Sequence, residues 1–128
     1  MEKLNEYIKR HRQNKEKQLD FTEYLYSLMN EKNVKKASYV YTKVNITKQA
    51  WSNIISGKVN PSLNTCIKIA LILKLDNHEC KYLLKKAGYT LSSSSVFGLI
   101  IRYCFENKIY DIYTLNDYLE EYGYNPID

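Results

Sequence analysis

The sequence predicts an all-α fold, and three observations carry the prediction. Pro and Gly number only two and four in 128 residues, too few for the many turns of a β-sandwich. Leu, Ile, Lys and Glu are plentiful, a composition that favours helices. Short polar residues stand ahead of several apolar runs, where they can cap the first turn of a helix. A chain of 128 residues is also within single-domain size and long enough to bury a core without metal or disulfide staples.

Taken in order, a first helix is expected over 3–15 and a second over 21–31, where Phe21, Leu25 and Leu28 form an apolar stripe behind Asp20 as N-cap. The two can fuse into one longer helix. A third spans 36–44, with Tyr41 and Val44 as core residues, and ends in the short turn Asn45-Ile46-Thr47. Thr47 is a natural cap for a helix over 48–56, which Gly57 closes as the residue type that best tolerates a left-handed stop. Ser62 caps 63–73, Asp76 caps 77–87 ahead of Gly88, and the serines 92–95 form the capped entry to a buried helix over 96–106. Thr114 is expected to cap a final helix over 115–122. No internal repeat recurs at a regular period.

Cys66, Cys80 and Cys104 are odd in number and widely spaced, which indicates neither a disulfide framework nor a zinc site and reads as buried thiols in a reducing cytoplasm. MEKLNEYIKRHRQNKEK has no apolar core for a signal peptide, and runs such as IALIL are too short to span a bilayer, so a cytoplasmic protein with no membrane partner is expected. The net charge of +5 is polarised: residues 1–36 hold nine Lys/Arg against six Asp/Glu, 37–90 eight against two, and 91–128 two against six. A basic central segment is the electrostatic footprint of a nucleic-acid binder, although a solvated lysine-rich surface would look the same.

Within NITKQAWSNIISGKVNPS, Gln49, Ser52, Asn53 and Ser56 share one helical face at i, i+3, i+4, i+7 spacing, and none is charged. Solvated faces ordinarily use Glu, Lys and Arg, which form helices better than Ser or Asn. The pairs Ala50/Ile54 and Trp51/Ile55 make an apolar back. A short helix, a three-residue turn and a helix packed by its back form the helix-turn-helix arrangement, whose second helix enters the DNA major groove. There Gln or Asn pairs bidentately with adenine and Ser reads either strand, whereas a carboxylate stripe would be repelled by phosphate.

Here the sequence resembles the lambda-repressor-like (Cro/cI, XRE-type) helix-turn-helix domains, over VNITKQAWSNIISGKVNPSLNTCIKIALILKL, residues 44–75. The family's recognition-helix Ser, following Gly, Pro-Ser pair and TxxKIAxAL-type helix fall on Ser52, Gly57, Pro61-Ser62 and 65–73. The resemblance implies a lambda-repressor-like bundle with additional C-terminal helices. It divides the chain into an N-terminal basic helix (1–19), a helix-turn-helix domain (20–90) and a C-terminal helical extension (91–128) packed on the same domain. It implies Lys48, Gln49 and Asn53 as base readers with Ser52 near a base or phosphate, and Lys43, Thr47, Lys58, Asn64 and Thr65 as phosphate contacts, the last two at a helix N-terminus. Thr47 also serves as a helix cap, and Trp51 is read as core. Two positions depart from the pattern, Tyr41 for a small Ala and Ile55 for Glu, which implies a repacked junction. KYLLKKAGYTLSSSS and IIRYCFENKIYDIYTLNDYLEEYGY resemble an extension on some such domains in AT-rich Gram-positive bacteria and their phages.

Six of thirteen tyrosines lie in the acidic last third. With Phe97, Ile101, Phe105, Tyr110 and Tyr113, this region is the expected homodimer or partner surface, since its charge is wrong for a second DNA site. The expected function is a dimeric, sequence-specific transcriptional regulator acting on double-stranded DNA. Its rival is a protein-binding helix-turn-helix module, such as a small phage-borne inhibitor or adaptor acting on a host defence protein. An enzyme, cofactor or metal is not expected: His11 and His78 stand alone, the glycines are isolated, and Glu120-Glu121 point apart on a helix.

Overall fold

Capping chemistry decides where most of the helices begin. The computed structural model describes residues 1–12 and 19–128, and for 10–12 the backbone only. Among the described residues it contains eight helices and no strand: α1 (Leu4–Arg12), α2 (Phe21–Glu31), α3 (Ala37–Val44), α4 (Lys48–Ile55), α5 (Leu63–Ile72), α6 (Asn77–Lys86), α7 (Val96–Glu106) and α8 (Ile112–Glu121). At α2 the Asp20 carboxylate accepts the Glu23 N–H at 2.8 Å while Glu23 accepts the Asp20 N–H, and Asp76 with Glu79 repeats this reciprocal cap at α6. Thr47, Ser62 and Ser95 accept N–H groups of Ala50, Thr65 and Gly98 at 3.0, 3.1 and 2.9 Å. Each such cap stabilises its helix by about 1 kcal/mol.

The last helix differs from expectation. It starts earlier than residue 115, because Asp111 and not Thr114 is the cap: its carboxylate accepts the Tyr113 N–H at 3.3 Å and the Thr114 hydroxyl at 2.9 Å. Asp is the stronger cap and stands three residues upstream, so Thr114 falls inside the first turn. The predicted continuation of the first helix over 13–15, and its fusion with the second, lie outside the described residues.

Left-handed residues stop the helices. Asn33, Asn45, Lys74 and Lys108 have φ of 59, 65, 52 and 56°, and Gly57 closes the turn after α4 at 81°.

α6 is central to the packing, lying against α2, α5 and α7, while α3 packs on α5 and α7 on α8. One apolar core runs through all of them, from Leu25, Val40 and Ile67 through Leu83 to Phe105, Leu115 and Leu119. Residues beyond 91 therefore share the core of the preceding helices. The chain is pinned again near its end: the Asn116 amide donates to the Ile127 carbonyl at 2.9 Å and accepts the Ile127 N–H at 2.7 Å, with the Ile127 side chain buried. In α1, by contrast, Leu4, Tyr7 and Ile8 are exposed. No helix among the described residues is long and apolar enough to cross a membrane.

Candidate functional site

The unit α3–turn–α4 is fastened to the body by a polar contact at the end of each of its two helices. The Lys68 ammonium on α5 donates to the carbonyl of Val44 at 3.1 Å, at the end of α3, where a cation also suits the helix dipole. The Thr22 hydroxyl on α2 donates to the carbonyl of Ile55 at 2.9 Å, at the end of α4. Between them the connection Asn45-Ile46-Thr47 turns through the left-handed Asn45, whose short polar side chain tolerates that conformation.

Behind α4, Trp51 and Ile54 are buried and Ala50 and Ile55 half-buried. Tyr41 lies against Trp51 with ring centroids 6.1 Å apart at 43°. The larger residue at 41 thus fills the α3–α4 junction with an aromatic pair.

With that back buried, Lys48, Gln49, Ser52 and Ser56 face solvent and Asn53 is half-exposed. The Gln49 amide N–H donates to Asn53 Oδ1 at 3.1 Å. The pair therefore holds its remaining donors and acceptors in a fixed relation along the face. Ser56 turns back to donate to the Asn53 carbonyl. Lys48 occupies the first helical position, where the helix dipole disfavours a cation and the first turn has no carboxylate. Its charge therefore does not serve the helix.

The residues expected at phosphates are less uniform. Lys43 is exposed with its ammonium 4.6 Å from the centroid of the Tyr39 ring, and Lys58 is exposed on the loop after α4. Thr47 and Thr65 are engaged in capping. The Asn64 amide donates to Asp128 Oδ1 at 3.3 Å, so the start of α5 already holds an acidic group. Lys68, counted with the basic segment, is spent internally. Sequence reasoning passed over Lys35, Lys36 and Ser38 at the start of α3, which among α2–α8 lacks a side-chain cap. The missing cap is legible only once the helix start is known.

The surface expected in the last third needs correction. Ile101 and Phe105 are each 1 % exposed and belong to the core, because α7 is packed between α6 and α8. Phe97 and Tyr110 are half-buried, paired with Tyr124 and Phe105 respectively, and Tyr113 is 77 % exposed. What α7 does present is Val96, Leu99 and Tyr103, at i, i+3, i+7.

Burial pushes the Cys66 and Cys80 thiols up to about 12 and Cys104 up to about 11, so all three stay protonated at neutral pH. Among the described residues no group of His, Cys, Asp or Glu is placed to hold a metal ion. Comparison of the chain with protein-family models, with curated proteins and with solved structures finds no match.

Proposed function

We propose that this protein is a sequence-specific DNA-binding transcriptional regulator of helix-turn-helix type that reads the major groove with α4. The observation that carries the reading is the uncharged polar row on α4 over an apolar back buried at Trp51 and Ile54. Gln49 and Asn53 are the base readers, with Lys48 and Ser52 beside them. Lys43 and Lys58 neutralise phosphates on either side, and the uncapped N–H groups of α3 next to Lys35 and Lys36 add an anion-favouring helix start. Asn64 and Thr65 are weaker phosphate candidates than the sequence implied, because Asp128 and Ser62 occupy them.

A gel shift at graded salt tests this. Binding is expected to weaken steeply with salt. Absence of binding to any duplex at low salt would reject it in favour of a second reading, a helix-turn-helix module for a protein partner. The exposed Val96, Leu99 and Tyr103 stripe in the acidic last third favours that alternative. Under the DNA reading the same stripe is the homodimer contact, since one such unit spans only a few base pairs and two half-sites need a two-fold partner.

A further inference from the structure

A cavity of about 390 Å³ lies between α6 and α7, closed at one end by the loop that joins them. That volume is within the range of small-molecule sites, ~300–1,000 Å³. Its apolar floor is Cys80, Leu84, Leu91 and Ile101. Its wall carries three cations, Lys81, Lys85 and Arg102, and the polar side chains of Asn77, Ser92 and Ser93. Among the described residues no Asp or Glu lines it; Glu106 touches Arg102 from outside, at 2.6 Å. Two lysines without a carboxylate partner in the wall, and Arg102 beside them already paired with Glu106, stand over an apolar floor and suit a ligand with both characters. The loop wall is built to stay in place: Gly98 lets α7 approach so closely that an added Cβ would meet the Ser92 carbonyl oxygen at 2.3 Å.

We infer that this cavity binds a small organic anion with an apolar body, a carboxylate or phosphate head on a hydrocarbon tail. The head is held by Lys81, Lys85 and Arg102, and the tail lies on Leu84, Leu91 and Ile101. The cavity is linked to the loop that follows the reading unit. Tyr89 lines it, and the Tyr89 hydroxyl donates to the Pro61 carbonyl at 2.8 Å, while the Asn60 amide donates to the Ala87 carbonyl at 2.9 Å. The loop that follows α4 is thus held at two points by the end of α6, and a ligand that displaces Tyr89 shifts that loop. The site itself stands without the DNA reading; only its consequence for DNA rests on that reading.

Titration calorimetry of the full chain without DNA, using octanoate, octyl phosphate and octanol, tests the site. At least one anion is expected to bind one to one and about tenfold or more tighter than octanol, a difference of about 1.4 kcal/mol. The preference between the two anions identifies the head group. Combined Lys81→Gln, Lys85→Gln and Arg102→Gln substitution is expected to lower anion affinity about tenfold or more, with the helical circular-dichroism spectrum unchanged. Octanol binding as tightly as both anions, unchanged anion affinity in the triple variant, or no binding of any probe at millimolar concentration would each overturn the site. Trp51, the single tryptophan, lies in α4 and reports the coupling. Its fluorescence is expected to change at saturation in the parent and not in Tyr89→Phe, which keeps the ring in the cavity and loses the hydroxyl contact. A silent Trp51 in the saturated parent, or an equal change in both proteins, would overturn the coupling.

Discussion

A methyl group added at residue 98 has nowhere to go, because the atom it would meet at 2.3 Å is a backbone oxygen and cannot rotate away. Gly98→Ala is therefore expected to destabilise the protein by about 1 to 3 kcal/mol, read as a lower urea midpoint, as overpacking of a close backbone approach does. The Gln49–Asn53 hydrogen bond leads to a different expectation. Each residue alone is expected to contribute about 1 to 3 kcal/mol on the preferred DNA site and little on random DNA. Because they orient each other, the double alanine variant is expected to lose less than the sum of the single losses. Strict additivity in that cycle, measured by titration on the preferred site, would show that the pair does not read as a unit. The polar row was legible in the sequence because its spacing alone places it. The internal bond was not, since side-chain torsions decide it.

At the scale of the element, caps made the helix starts readable wherever a single strong candidate preceded the apolar run, as with Asp20, Thr47, Ser62 and Asp76, while among the four serines 92–95 the backbone selects Ser95. The start of α8 was misplaced because two candidates stand within one turn, and only the backbone geometry selects Asp111. The helix ends were less readable. Gly57 marked its own stop, but Lys74 and Lys108 are left-handed without any sequence signal. A side chain in that region costs about 1 kcal/mol or more. Lys108→Gly is expected to raise stability by about 0.5 to 1 kcal/mol, after allowance for the greater freedom of glycine in the unfolded chain; an unchanged or lower urea midpoint would contradict this. α7 shows a second limit. Local periodicity identifies an apolar helix but not how many neighbours cover it, and a helix covered by both α6 and α8 buries Ile101 and Phe105 while exposing Val96, Leu99 and Tyr103.

Across the whole molecule, charge separates from packing: 37–90 carries eight Lys/Arg against two Asp/Glu, and 91–128 two against six, yet both share one core. Under the DNA reading, Lys43→Gln and Lys58→Gln are expected to weaken binding to all sequences alike, each flattening the salt slope by about 1. Loss on the preferred site alone would contradict their role at phosphates. A chain that sediments as a monomer at micromolar concentration, with and without DNA, would remove the dimer and favour the protein-partner reading. The all-helical class was legible from composition and caps, whereas the cavity between α6 and α7 was not, because its cations and apolar floor come from separate helices. Stability is also expected to depend on pH. The three thiols titrate higher in the folded protein than their ordinary 9.0, so the unfolded chain releases protons first. Their contribution is fully present below about pH 9 and is lost as pH rises toward 12. The melting temperature is expected to fall over that window, and less so in a Cys66→Ala, Cys80→Ala variant. An equal fall in both proteins would assign the loss to other groups.

Those thiols sit on three successive helices, α5, α6 and α7, and each is buried. A water-soluble disulfide reagent can modify one only while its helix is parted from its neighbours and the sulfur meets solvent. The chain consequently carries three internal timers, one per helix, needing no introduced label. Equal labelling rates would mean that the helices separate together in a single event. Earlier modification of Cys104 would mean that α7 lifts away first, opening the α6–α7 seam while the α3–α4 unit stays assembled.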